Sequence, residues 1–208
     1  MNLADNFFYF PTDNSGKGSA THQKIVIITA PSGAGKTSIT RYLLQKLPSL
    51  SFSISATTRK PRKGEVDGKD YYFMDEAEFH GHIKKQDFLE WEMVYEGKYY
   101  GTLCSEIDRL WQEGKYPLLD IDVKGAIHVQ EQYRDGCLSL FIEPPSVREL
   151  TRRLAMRGTE TEESLQTRIN KAEYEMSFMH HFDKVVVNHD LEEACAEAEK
   201  AVRKFLGL

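Results

Sequence analysis

The stretch IVIITAPSGAGKT, Ile25 to Thr37, leaves few folds open to this chain. Four β-branched apolar residues, Ile25 to Ile28, lead into a turn of small residues, and Lys36 and Thr37 open an amphipathic segment. A run that is apolar on both faces suits a central parallel strand. The following KTSITRYLLQKL places Ile39, Tyr42, Leu43 and Leu47 on one helical face before Pro48 stops it. Strand, tight loop and helix in that order make a phosphate-binding device. Small residues let backbone N–H groups point inward, the helix brings its positive end, and the lysine adds a full charge. Ala30, Pro31, Ser32, Gly33, Ala34, Gly35, Lys36, Thr37 and Ser38 are the residues expected around a polyphosphate. The usual spacing is Gly, four residues, then Gly-Lys-Ser/Thr, and Ala30 stands where its first Gly would be. An alanine costs little there if its φ is negative. The plain alternative, a Gly-rich turn that only joins two elements, is disfavoured by the strand before it and the helix after it.

With 208 residues the chain is long enough to bury roughly 70% of the surface its unfolded form exposes, so one core with insertions suffices. No apolar run approaches the ~18 residues of a membrane span. A net charge of −5 gives no overall attraction to nucleic acid or anionic lipid, so any anion must be met by a local basic site. Cys104, Cys137 and Cys195 are far apart, odd in number and without a CxxC pair or secretory signal, which reads as reduced thiols in a cytoplasmic protein. The histidines show no zinc spacing, so no structural metal is expected.

Residues 1–23, with the aromatic patch NFFYF and then a polar Gly/Ser-containing run, read as a flexible leader. Phe52, Ile54 and Ala56 alternate with serines as in a strand. Arg59, Lys60, Arg62 and Lys63 then cluster, followed by Glu65, Tyr71 and Tyr72 and by a helix start at Asp75 with Glu78 three residues on, a capping box. DFLEWEMVYEGKYYGT gives two aromatic-rich strands about the turn Glu96-Gly97-Lys98, with Glu90 between Leu89 and Trp91. That carboxylate either faces solvent, since strand neighbours alternate, or is a buried reader of a donor-rich ring edge. YPLLDIDVKG is a core strand ending in Asp120 and Asp122. A carboxylate late in a core strand suits a nucleotide-bound Mg²⁺, and helix capping fits Asp122 better than Asp120. LSLFIE is a further strand, and Ser146 with Glu149 opens the next helix. Arg153 and Arg157 are four apart on one face, Gly158 breaks the helix, and Arg168 follows, a pattern that suits a lid over polyphosphate. KVVVN is the last strand before a C-terminal helix.

Taken together, APSGAGKT, SATTRKPRKGEVDGKDY, FLEWEMV, YYGT, LDIDVKG, EPPS, RRLAMRGTETEES and KVVVN resemble the guanylate kinase family in order and spacing, from Lys24 to the C-terminus. The resemblance implies an α/β P-loop NTPase three-layer fold with a central parallel sheet. It divides the chain into a nucleotide-binding core (24–54, 104–144 and 172–208), a β-rich GMP-binding insertion (55–103) and a helical lid (145–171). It implies an ATP:GMP phosphotransferase, with dGMP as a further acceptor. The alternative is an inactive relative that binds phosphopeptides through the GMP half.

On this resemblance Arg59, Arg62, Tyr71 and Tyr100 hold the GMP phosphate, two arginines suiting a dianion through their planar donor forks. Ser55, Glu90 and Thr102 read guanine, and Asp122 belongs either to that site or to the metal shell. Thr102 stands where Ser is common and keeps the hydroxyl. Glu65 braces the phosphate loop and is counted with the GMP-binding residues. Lys36 and the loop amides bind ATP, with Asn188 at adenine. Thr37 and Asp120 hold Mg²⁺ directly or through water, and Arg153, Arg157 and Arg168 neutralise the transferring group. The expected partners are ATP and GMP or dGMP, with no nucleic acid and no membrane, and the oligomeric state is left open.

Overall fold

The computed structural model describes residues 23–156 and 162–208. The leader up to residue 22, Arg157 and Gly158 lie outside the described residues. Strand β1 (Ile25–Thr29) is buried on both faces, and that sets the layers. Because strand neighbours point to opposite sides, Val26 and Ile28 pack against one pair of helices, α1 (Lys36–Lys46) and α7 (Leu191–Leu206), through Ile39, Leu43, Ala198 and Val202. Ile25 and Ile27 pack on the other face against α3 (Cys104–Gln112) and α4 (Val123–Tyr133), through Ile107, Ala126 and Val129. Each such side chain, fully buried, contributes about 1.5–3 kcal/mol.

The sheet around β1 holds β2 (Leu50–Phe52), β7 (Tyr116–Asp120), β8 (Cys137–Glu143) and β9 (Lys184–Val187) in the order β2-β7-β1-β8-β9, every pair parallel. This is the three-layer α/β architecture expected. Its register puts Asp120, the last residue of β7, beside Ile28 near the end of β1, where the phosphate loop begins.

A second sheet, in the order β4-β3-β6-β5, is formed by β3 (Ala56–Thr57), β4 (Tyr72–Phe73), β5 (Phe88–Tyr95) and β6 (Lys98–Leu103). Helix α2 (Glu76–Lys85) closes it, with Phe79 stacked on Phe88 at 4.4 Å between ring centroids. The alternation of Phe52, Ile54 and Ala56 does not form one strand. Phe52 ends β2 in the large sheet and Ala56 begins β3 in the small one, because the Ile54 N–H turns aside to the Glu106 carboxylate at 3.0 Å. The chain returns from the small sheet directly, Leu103 ending β6 and Cys104 starting α3.

Helices α5 (Val147–Ala155) and α6 (Glu162–Met176) pack through Leu150, Leu154, Leu165 and Ala172. The caps lie where the sequence places them: Asp75 accepts from Glu78 N–H and Ser146 from Glu149 N–H. The Glu149 carboxylate does not complete its box, since it binds Arg152 and Arg153 instead. Among the described residues no helix is long and apolar enough to cross a membrane.

Candidate active site

The loop between β1 and α1 is shaped by two glycines. Gly33 and Gly35 have φ of 94° and 103°, a region L side chains rarely enter, and Gly35 caps α1. A Cβ on Gly35 would lie 2.2 Å from Asn188 Nδ2, and one on Gly33 would press on Leu150 and Leu154 of α5 at 3.1 Å. Ala30 is the informative exception. Among the described non-glycine residues only Gln86 and Arg134 have positive φ, so the methyl of Ala30 sits in unstrained backbone, buried in the core. The first turn of α1 carries no acidic residue, which leaves the positive helix end for an anion.

Lys36 forms an ion pair with Asp120 across the top of the parallel sheet. Asn188 is 4% exposed and holds the loop from behind, its Nδ2 donating to Ala34 O at 2.7 Å. Its backbone N–H donates to Glu143 O, and its carbonyl accepts from Arg153 Nη2 at 3.1 Å. Arg153 is also held by Glu149 at 2.9 Å.

Opposite the loop stands the small sheet, and a cleft of about 430 Å³ lies between them. On the loop side Ala30 to Gly33 and Gly35 to Ser38 line it, with Asp120. On the far side Ser55, Tyr71, Glu90, Tyr100 and Asp122 line it, and Arg168 reaches in from α6, donating to Ser32 Oγ at 3.3 Å. Ala34, Asn188, Arg153, Thr102, Arg59, Arg62 and Glu65 do not line it, and Arg157 is outside the described residues.

Glu90 is a buried carboxylate in the cleft. It is 6% exposed, and Thr102 Oγ1 donates to it at 2.6 Å. Burial pushes its pKa up to about 8; the Thr102 hydrogen bond opposes the shift, and Asp122 and Glu92 add to it. Burial also raises Glu92. The Glu90 carboxylate fits only because residue 125 is glycine, since a Cβ there would lie 2.6 Å from Glu90 Oε2. Asp122 caps α4 by accepting from Gly125 N–H at 2.9 Å, so it serves as a cap and as cleft lining at once.

The cationic loop is anchored rather than loose. Glu65 grips Arg59 through both oxygens, at 2.6 and 2.7 Å, and accepts Arg62 N–H at 2.7 Å. The Arg59 guanidinium lies 4.7 Å from the Tyr71 ring centroid. Its hydrogen bonds, first to Arg59, hold the Glu65 carboxyl down at about 2. Arg62 is exposed.

Several lining residues escape a motif-based reading, among them Glu92, Lys171 and Glu175. Periodicity alone points to them. Glu92 is two residues from Glu90 on one strand, hence on the same face. Lys171 and Glu175 follow Arg168 by three and seven residues on α6, hence on its face. Glu175 is buried, and burial raises its pKa.

Comparison with known proteins decides the family. The model of the guanylate kinase family matches residues 22–205. The chain belongs to the guanylate kinase family. A guanylate kinase of Bacteroides fragilis is 46% identical over 185 residues, covering 89% of this chain and 91% of the relative. That of Salinibacter ruber is 49% identical over 184 residues, covering 88% and 97%. The crystal structure of guanylate kinase from Anaplasma phagocytophilum superposes with a TM-score of 0.70 at 32% identity, covering 87% of this chain and 85% of that one. Members of this family carry the α/β P-loop fold seen here.

Proposed function

We propose that this member of the guanylate kinase family transfers the γ-phosphoryl group of ATP to GMP, giving ADP and GDP. The observation that carries the reading is the pairing of two unlike walls in one cleft. A phosphate loop with Lys36 faces a buried, hydroxyl-supported carboxylate, Glu90. ATP phosphates fit the backbone N–H groups of Gly33, Gly35, Lys36 and Thr37, which line the cleft, and the charge of Lys36. Guanine fits Glu90, because N1–H and the exocyclic amine are adjacent donors. Adenine lacks that pair and would leave a buried acceptor unpaired.

In the reaction a phosphate oxygen of GMP attacks the γ-phosphorus as the bond to the bridging β–γ oxygen breaks, and the electron pair leaves on ADP. The attacking oxygen is already largely ionised, so no general base is assigned. The barrier lies in bringing two anions into line. Lys36 and Arg168 offset that repulsion from the cleft, Arg153 from the lid, and Arg157 belongs to the same set by its sequence position. Arg59, Arg62, Tyr71 and Tyr100 take the GMP phosphate, with Glu65 holding Arg59 in place. Ser55 supplies a hydroxyl at the base, Thr102 acts on the base through its hydrogen bond to Glu90, and dGMP shares that edge.

Mg²⁺ fits the donors present. Thr37 offers a hydroxyl and Asp120 a carboxylate, and among the described residues no three-residue His/Cys/Asp/Glu cluster binds a metal alone. That is the pattern for an ion carried mainly by phosphate oxygens and water. When bound, it would neutralise charge on the β- and γ-phosphates, and Lys36 and Asp120 would exchange their mutual ion pair for these partners. We assign the chain to the cytoplasm, where both nucleotides occur and where its free thiols, Cys104, Cys137 and Cys195, stay reduced. A phosphopeptide-binding role would leave Lys36, Thr37 and Asp120 without use. ADP release with Mg-ATP and each of GMP, dGMP, AMP, CMP and UMP tests the assignment. GMP and dGMP should accelerate it strongly, and equal rates with AMP would reject it.

A further inference from the structure

Glu106, in the first turn of α3, is 2% exposed and lies outside the cleft lining. A buried carboxylate needs donors, and Glu106 has four. Ile54 N–H donates to Oε1 at 3.0 Å, and the Tyr72 hydroxyl donates to Oε2 at 2.9 Å. Arg109 adds Nη2 to Oε1 at 2.8 Å and Nε to Oε2 at 3.0 Å. These bonds join three pieces of chain: the connection from the large sheet to the small one, strand β4, and the helix by which the chain returns to the core.

The neighbours of those donors lie in the site. Ile54 precedes Ser55 and Tyr72 follows Tyr71, and both Ser55 and Tyr71 line the cleft. The two pairs are tied to each other by Tyr72 N–H donating to Ser55 O at 2.9 Å. Along extended backbone successive side chains point to opposite faces. Gripping the Tyr72 hydroxyl from behind therefore directs Tyr71 toward the cleft. We propose that Glu106 is a positioning residue for the acceptor nucleotide, fixing Ser55 and Tyr71 through Ile54 and Tyr72 while touching no substrate itself. This rests on the reading of the cleft as a GMP site. It assigns Glu106 an effect on GMP that ATP does not share, because the phosphate loop is built on β1 and α1, which make no bond to Glu106 among those described.

The test is the Michaelis constant of each substrate, measured with the other saturating, in Tyr72→Phe and Glu106→Gln, with melting temperatures alongside. Tyr72→Phe deletes one hydroxyl and keeps the ring. Glu106→Gln keeps the shape but turns an acceptor oxygen into a donor that faces donors. Misplacing a binding group by a fraction of an ångström to an ångström costs up to about a hundredfold. KM for GMP should therefore rise about five- to tenfold in Tyr72→Phe and about ten- to a hundredfold in Glu106→Gln, with KM for ATP within about twofold. Tyr42→Phe is the control, since it removes a 2.7 Å bond to Glu199 between α1 and α7, away from the cleft. It should lower the melting temperature and move neither constant. An unchanged KM for GMP in Tyr72→Phe, or parallel rises for both substrates, would overturn the proposal. If Glu106→Gln fails to fold, Tyr72→Phe decides alone. Wild-type protein that does not turn over GMP would overturn the GMP reading and this proposal together, whereas normal wild-type turnover with unmoved variants overturns this one only.

Discussion

Apart from Asp120, the loop wall of the cleft comes from one short stretch, Ala30 to Gly33 and Gly35 to Ser38, whereas the opposite wall is assembled from Ser55, Tyr71, Glu90, Tyr100 and Asp122, each on a different segment. The first presents backbone N–H groups and one lysine, so its chemistry is fixed once β1 and α1 pack. The second presents side chains, and its key carboxylate is buried at a cost that neighbours must offset. Phosphate is common to all nucleotides and can be met by a local device. A particular base must be met by groups brought together from segments far apart in the chain.

The largest expected effect falls on the loop wall. Lys36→Ala removes the only full charge of the loop, and kcat should fall by about 10²–10³-fold or more with the melting temperature nearly unchanged. Single-turnover kinetics and thermal melting check both parts.

Gly125→Ala strikes the other wall without touching a ligand. The added Cβ meets the tip of the Glu90 side chain, which can swing away, so the fold survives while the carboxylate moves. KM for GMP should rise about ten- to a hundredfold by steady-state assay, with KM for ATP retained.

A third test uses pH. Glu90 has its pKa raised to about 8, and donors from guanine favour the ionised form. Below that value a proton must leave as GMP binds, so GMP affinity should rise by up to about tenfold per pH unit toward 8 and then level off. Titration calorimetry in buffers of different ionisation enthalpy checks the proton released. The sign for stability is opposite. The folded state keeps a proton that the unfolded carboxyl gives up, so this group's contribution weakens as pH climbs from 4.5 to about 8. The smallest effect is expected for Ala30→Gly. Because Ala30 lies in unstrained backbone, activity should stay within about twofold, and denaturant melts should show a loss of about 1–2 kcal/mol from greater unfolded-state freedom and the lost burial of its methyl.

The same contrast explains what the chain discloses as sequence. The strand IVII, the turn and the helix are contiguous, and their periodicities dictate the layers. The caps at Asp75 and Ser146 are read from spacings of three residues. Ala30 is legible only as a departure from the usual spacing, because its harmlessness depends on a backbone angle that the sequence does not show. Glu106 and Gly125 are not legible, because their meaning lies in contacts 52 and 35 residues away, to Ile54 and Glu90. Nor is the break at Ile54, where the side-chain alternation continues through a backbone that has left the sheet. The resemblance alone points Asn188 to adenine, and no spacing announces the bond from its buried amide to the Ala34 carbonyl, 154 residues away.

The central claim, that one carboxylate on the assembled wall selects the base, is tested most directly by Glu90→Gln. The measurement is the ratio of kcat/KM for GMP to that for AMP, with Mg-ATP saturating, in wild type and variant. The ratio should collapse by about 10²-fold or more through loss on GMP, while KM for ATP holds. An unchanged ratio would contradict the account.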